Sequence, residues 1–303
     1  MERRHSLRSH TIRLVALAAA LACRPADRAS RPPRDAGYTV TDDAGRTVAL
    51  AQPARRIVSL SPAVTELLFA LGVGDRVVGR TTWCDYPPPA RLVPSVGDGL
   101  NPNLEAVAAR RPDLVVLYRS PLNETAAAQL GRLGIPAAVL RQDRLEDVAR
   151  AARLLGRLTG RAAAGDSLAD SLTRLLETGV PAAHTGLAFV VWDNPPMVIG
   201  GGSYLDQLAT LAGAANVFHD IGAASATVAL ETIATRDPDV IAVVSDSAEP
   251  RPPAFARRRE WRVIRAVRER RFVYVVGSLF GRPGPRAGVA AAELRRLLGQ
   301  VKR

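Results

Sequence analysis

The sequence predicts an α/β protein of two lobes, each built on a parallel sheet covered by helices, joined by a single long helix. Three observations carry this. Strand-like apolar runs alternate with helical stretches in two sets, one before and one after the middle of the chain. Between them, Leu145 to Thr178 has no strand signal and no proline, and its apolar residues fall at helical spacing. A phrase of the first set, Ala109-Arg-Arg-Pro-Asp-Leu-Val-Val-Leu117, returns in the second as Thr235-Arg-Asp-Pro-Asp-Val-Ile-Ala-Val243.

Arg56–Leu60 reads as a buried strand. Ser61 then serves as N-cap and Pro62 as first helical residue of a short helix that ends on glycine and feeds a strand at Val77–Gly79. On that helix Val64, Leu67, Leu68 and Leu71 share one side, and Glu66 falls on the opposite one. Glu66 lies two residues beyond the capping-box position, so capping does not explain it. The first set continues with helices at Asn103–Arg110 and Asn123–Leu133 and strands at Leu114–Tyr118 and Ala137–Leu140. In the middle, Leu145, Val148, Ala152 and Leu155 precede Leu168, Leu172 and Leu175, with Gly160 and Gly165 separating two helices. The second, Ala162 to Thr178, would be roughly 25 Å long. It reads as a stiff connector, with a packing helix of one larger domain as the alternative. The second set has strands at Leu187–Trp192, Val240–Ser245 and Phe272–Gly277, and helices at Ser203–Leu211, Glu231–Arg236 and Trp261–Arg268. Each repeated phrase ends a helix, turns through Pro-Asp and enters a strand, and each comes after a Leu-Glu pair, Leu104-Glu105 and Leu230-Glu231.

A chain of 303 residues with 47% hydrophobic and 23% charged residues can bury a sizeable core and is not disordered in composition. The net charge of +12 comes almost entirely from arginine, since Lys302 is the only lysine. Such a charge favours acidic partners or anionic headgroups, but no nucleic-acid motif accompanies it. Residues 1–22 read as an export signal: Arg3, Arg4, Arg8 and Arg13 precede a short apolar run, Leu14 to Ala22, too short to span a bilayer. Ala20-Leu21-Ala22-Cys23 resembles a bacterial lipobox, which makes Cys23 the lipidation site, although Ala20 stands where leucine is usual. Plain secretion is the alternative. The expected organisation is then a tether and N-terminal strand region over 23–55 and a binding domain over 56–303. Within it the N lobe covers about 56–143, the helical connector about 144–180 and the C lobe about 186–303. The expected location is the periplasm or cell surface, anchored to a membrane. Two cysteines rule out a disulfide framework, and a lipidated Cys23 leaves Cys84 as a single thiol. A Cys23–Cys84 bridge is the competing possibility.

Without the signal the chain keeps only His184 and His219 and has no Cys-x-x-Cys, so no metal site is expected. Gly200-Gly-Gly-Ser203 lacks the form of a hydrolase elbow and reads as a turn with Ser203 as N-cap. No catalytic residue is expected: Asp85, Asp98 and Asp193 are the acid/base candidates, and none has an evident partner. Ligand-binding candidates lie just past strand ends, where open α/β sheets hold ligands. They are Trp83, Tyr86, Asp98, Trp192, Phe280 and Arg282, four rings with flat faces, one carboxylate and one cation suited to an anionic edge.

Asp43-Ala-Gly-Arg-Thr-Val48, Arg56-Ile-Val-Ser-Leu-Ser-Pro-Ala-Val-Thr-Glu66, Asp85-Tyr-Pro-Pro88, Pro112-Asp-Leu-Val-Val116, Glu231 with Asp237-Pro-Asp-Val-Ile241, and Arg282-Pro-Gly-Pro-Arg286 together resemble the periplasmic binding proteins of ABC importers for cobalamin and iron–siderophores. The similarity runs from about Tyr38 to Gln300 and looks most like the cobalamin-binding branch. It implies two α/β lobes joined by one long helix, with the ligand between them; the stiff connector predicts little lobe movement on binding, and no intrinsic cofactor is expected. It implies that one exposed glutamate per lobe, matched here by Glu66 and Glu231, docks onto the permease, with its ATPase subunits as further partners. Trp83 matches a corrinoid-contacting aromatic and Arg282 a polar contact. Gly99 and Ser278-Leu279 depart from the family's tryptophan and Asp-Trp. The expected function is a monomeric, lipid-anchored receptor for cobalamin or a related corrinoid. A ferric-siderophore or haem receptor of the same fold is the alternative, and an extracytoplasmic enzyme acting on a metal chelate is the alternative of another class.

Overall fold

The computed structural model describes residues 38–178, 185–245 and 252–301, so the export signal, Cys23 and His184 lie outside the described residues. It opens on an antiparallel hairpin, β1 (Tyr38–Thr41) and β2 (Thr47–Leu50). The Asp42 carboxylate sets the turn by accepting the backbone N–H groups of Ala44 and Arg46, and ties it to the N lobe by accepting that of Val139. Val40, Val48 and Leu50 alternate inward to the core, as a half-buried hairpin requires.

The N lobe continues the chain as β3 (Ile57–Ser59), α1 (Pro62–Ala70), β4 (Val77–Arg80), α2 (Leu104–Ala108), β5 (Leu114–Tyr118), α3 (Pro121–Arg132) and β6 (Ala137–Leu140). Its sheet has the order β4-β3-β5-β6 and is parallel throughout. Ile57, Val58, Val115 and Val116 are all fully buried, which is why the strands read as continuous apolar runs and not as alternations. Ser120 caps α3 ahead of Pro121, two residues before the helix expected from Asn123.

The middle holds the two helices expected there, α4 (Leu145–Leu158) and α5 (Ala162–Glu177), and they pack against each other as an antiparallel pair, so the long helix α5 does not stand alone between the sheets. Gly160, at φ +69°, makes the turn between them. Gly165 does not separate helices. It sits inside α5 where a Cβ would lie 2.6 Å from the Ala152 carbonyl oxygen and 3.1 Å from the Gly156 Cα, so its missing side chain lets the helices pack backbone to backbone. One hydrophobic cluster runs from Leu67 and Leu114 through Leu155 and Leu172 to Leu208 and Leu294. The two sheets therefore share a core through the helix pair.

The C lobe comprises β7 (Thr185–Asp193), β8 (Pro196–Ile199), α6 (Tyr204–Ala212), β9 (Ala214–Asn216), β10 (Ser225–Thr227), α7 (Leu230–Arg236), β11 (Val240–Ser245), α8 (Arg265–Arg268), β12 (Phe272–Val276), α9 (Gly277–Phe280) and α10 (Ala287–Gln300). Strands β9, β7, β11 and β12 pair in parallel, but β8 is antiparallel to both β7 and β10, so this sheet is mixed where a parallel one was expected. The cause is local. Asn194-Pro195 makes a two-residue turn that folds β7 back on itself as a hairpin. Trp261–Arg268, expected as one helix, is a 3-10 turn followed by the four residues of α8, with Trp261, Ile264 and Val267 buried in a second core. Helix α10, for which no expectation was formed from the sequence, covers β12 and α6.

Candidate functional site

Parallel strands deliver their carboxyl-terminal loops to one edge of the sheet. In the N lobe β3 leads to Ser61–Ala63, β5 ends on Tyr118, and β6 leads to Gln142 and Asp143. In the C lobe the loop after β8 leads to Ser203–Leu205 and α9 leads to Gly281–Pro283. These segments meet around a cavity of about 330 Å³ between the lobes. Larger hollows of about 760 and 860 Å³ flank β12 and α10, but residues of one lobe alone line them.

Backbone and ion-pair contacts cross beside the cavity. The Tyr204 N–H donates to the Asp143 carbonyl at 2.8 Å, and Arg144 Nη1 donates to the Gly201 carbonyl at 2.6 Å. Arg286, just ahead of α10, grips Glu66 of α1 with two bonds, Nε to Oε2 at 2.7 Å and Nη2 to Oε1 at 2.6 Å. Its guanidinium also lies 3.8 Å from the centre of the Tyr86 ring. Arg282 pairs with Asp85 and sits 3.9 Å from Glu66. Burial alone would raise the Asp85 carboxyl, but the Arg282 bond and charge, with its own backbone N–H and the Arg91 charge, together outweigh burial and hold the group below the usual carboxylate range.

Several expectations change here. Glu66 is 3% exposed, not an acid on an outer face. The helical wheel places it correctly opposite Val64, but the loop carrying Arg282 and Arg286 covers that side of α1, so Ala63 to Leu68 are buried all round. Burial pushes the Glu66 carboxyl up, and the two Arg286 bonds oppose it. Phe280 is 1% exposed and belongs to the core, so it offers no face to a ligand. Arg282 does line the cavity, and Tyr86 stands beside the ion pairs. Trp83 is exposed but does not line the cavity. Trp192 is exposed on the β7–β8 hairpin, its indole N–H donating to the Asn194 carbonyl, because the strand it was expected to end turns back there. Asp98 accepts the Leu100 N–H in a local turn. Asp85, Asp98 and Asp193 do not converge, the last being paired with Arg258. Among the described residues no cluster of His, Cys, Asp or Glu could hold a metal ion. Cys84 is buried with its sulfur 3.1 Å from the Thr81 hydroxyl. Glu231 is exposed in the first turn of α7.

Sequence reasoning missed Tyr118, Gln142, Asp143, Tyr204 and Arg286. The strand-end rule would have found the first three; a preference for loops rich in rings passes over them. Tyr118 donates its hydroxyl to Asp143 Oδ1 at 2.8 Å. Burial, with that bond and the Asp143 charge, pushes it up to about 12. The folded protein then keeps a proton that the unfolded chain, with an ordinary phenol near about 10, begins to lose. Stability is expected to be unaffected by this group below pH ~10 and to fall from there toward pH ~12. Urea unfolding across that window should show a steeper loss in wild type than in Tyr118→Phe.

The sequence model of the family described as periplasmic binding protein matches residues 57–278. A vitamin B12-binding protein of Pectobacterium atrosepticum is 27% identical over 266 residues, covering 84% of this chain and 92% of that protein. An uncharacterised ABC transporter substrate-binding lipoprotein of Bacillus subtilis, YvrC, is 29% identical over 272 residues, covering 84% of this chain and 83% of the other. Among solved structures, the periplasmic haem-binding protein BhuT in complex with two haems aligns with a TM-score of 0.70 at 25% identity, over 82% of this chain and 99% of that one.

Proposed function

Because this chain belongs to the periplasmic binding protein family, we propose that it is the extracytoplasmic receptor of an ABC importer and captures cobalamin or a related corrinoid in the cleft between its lobes. The observation that carries this is the cavity at the carboxyl ends of three parallel strands, closed on its far side by the second lobe. Its volume is at the small end of ligand sites, roughly 300–1,000 Å³, and suits one edge of a large flat chelate. The corrinoid assignment rests on the relative named for vitamin B12. A haem reading has its own support in the neighbour solved with two haems. The relatives named above are binding proteins, and among the described residues no metal-ligating cluster is present, so binding without covalent chemistry is the reading we adopt. Cys23 carries the lipid in this account, and mass spectrometry of the mature N-terminus tests it.

Delivery requires docking, and the internal repeat supports one reading of its position. Glu231 is the second residue of α7, seven residues before the Pro-Asp of its phrase. Glu105 is the second residue of α2, seven residues before the Pro-Asp of the other phrase, and is likewise exposed. With Glu66 committed to Arg286, Glu105 takes its place as the N-lobe docking residue, one exposed acid per lobe.

The ligand is tested by absorbance titration of the protein with cyanocobalamin and, separately, haemin. Saturable binding of cyanocobalamin with one site and a Kd in the micromolar range or tighter is expected. Saturation by haemin alone selects the second reading, and saturation by neither rejects both ligand readings.

A further inference from the structure

Two buried polar atoms stand without a partner at the interlobe cavity. Gln142 is 6% exposed and Tyr204 4% exposed; both line the cavity, and neither the Gln142 amide nitrogen nor the Tyr204 hydroxyl makes a hydrogen bond of ordinary geometry. An unpartnered buried donor is costly, and native proteins keep few of them. Here both fall at one place. The Gln142 amide is oriented by its other end: Oε1 accepts the Ser61 hydroxyl at 2.6 Å, which commits the Nε2 hydrogens elsewhere. Ser61, the N-cap residue, donates to Gln142 and makes no side-chain cap bond, so the nine-residue helix α1 begins uncapped, and its first residues, Pro62 and Ala63, also line the cavity. Pro62 has no N–H, so the Ala63 N–H and the positive end of the helix dipole lie at the same cavity as the two orphan donors. Burial, with the Glu66 charge adding to it, holds the Tyr204 hydroxyl protonated against the nearby Arg282 backbone, so it stays a donor. Arg282 also stands at the wall, its charge shared with Asp85. The one carboxylate there, Asp143, already accepts the Tyr118 hydroxyl.

We infer that Gln142, Tyr204 and the N-terminus of α1 form an oxyanion subsite that holds a carboxylate or phosphate group of the ligand. This rests on the cleft being the ligand site and adds what the fold alone does not: the captured chelate carries an anionic oxygen group, inserted first, with its flat body left toward the mouth. The orphan donors are then unsatisfied only until the ligand arrives, and they reject a neutral apolar edge that would leave them buried and unpaired.

The test uses two variants chosen to spare the fold. Tyr204→Phe removes the hydroxyl alone, and Gln142→Glu keeps the oxygen that Ser61 bonds while replacing the donor by an acceptor. Thermal unfolding of the full chain is followed in rising inorganic phosphate and, separately, acetate, against chloride at equal ionic strength. Wild type is expected to gain melting temperature saturably with phosphate or acetate beyond the chloride control, the better anion identifying the group. Tyr204→Phe, with an unliganded melting temperature at or above wild type, should bind that anion at least tenfold more weakly, and Gln142→Glu should not respond. The subsite is overturned if neither anion exceeds chloride, or if Tyr204→Phe responds as wild type does. Anion binding in a chain that ignores both cyanocobalamin and haemin would keep the subsite and reject the ligand reading, so the two failures are distinct.

Discussion

Reversing Glu105 and Glu231 together to arginine is expected to abolish ligand uptake through the reconstituted permease while leaving the affinity for free ligand unchanged. Both acids are exposed and neither lines the cavity, so ligand binding has no reason to respond. They hold equivalent places in a repeated helix–turn–strand phrase, so the proposed docking takes one acid from each lobe. Losing a charge pair in an interface costs roughly 2–5 kcal/mol, so losing both weakens docking by at least about a thousandfold. Each single reversal should give an intermediate loss. The control is Glu124→Arg, an exposed N-lobe acid outside the repeat, which should transport normally. Undiminished uptake by the double variant would show that docking uses another surface.

Glu66→Ala is expected to be the most destabilising single change among the charged residues of the cleft. The carboxylate is almost wholly buried and accepts two bonds from Arg286, with Arg282 at 3.9 Å. Truncating it leaves a partly buried guanidinium uncompensated, a change that costs roughly 3–5 kcal/mol. Denaturant unfolding should show the midpoint falling sharply. Glu66→Gln, which keeps an acceptor for one Arg286 bond, should fall less. Because the pair joins α1 to the loop before α10, its loss should also loosen the two lobes, seen as faster amide exchange in both segments. Glu293→Ala, which breaks a solvent-exposed pair with Arg296, should leave stability unchanged. An equal effect of the two alanines would mean that the Glu66 pair is no more structural than a surface one.

Much of the fold was legible because its signals are local. The runs at Arg56–Leu60 and Leu114–Tyr118 are apolar on both faces, which only a doubly covered strand needs. Ser61-Pro62 marks the start of α1, and the Pro-Asp phrases mark two helix-to-strand turns. The illegible parts depend on tertiary neighbours. Glu66 sits on the polar side of its own helix, and only the approach of a loop some 220 residues along the chain makes that side an interior. Phe280 comes after a strand as a ligand ring would, yet α9 turns it into the core. Trp192 reads as the end of a strand because a two-residue turn through Pro195 carries no length with which to announce a hairpin. Gln142 and Tyr204 have no motif at all; their importance appears only once both are buried without partners at one cavity.

The central claim, that the ligand sits between the lobes, is tested most directly by a crystal structure of the protein with cyanocobalamin. Ligand density is expected to be bounded by Ser61–Ala63 on one side and Gly281–Pro283 on the other, with the phosphate within hydrogen-bond distance of Gln142 and Tyr204. Density lying elsewhere, with the interlobe cavity empty, would contradict it.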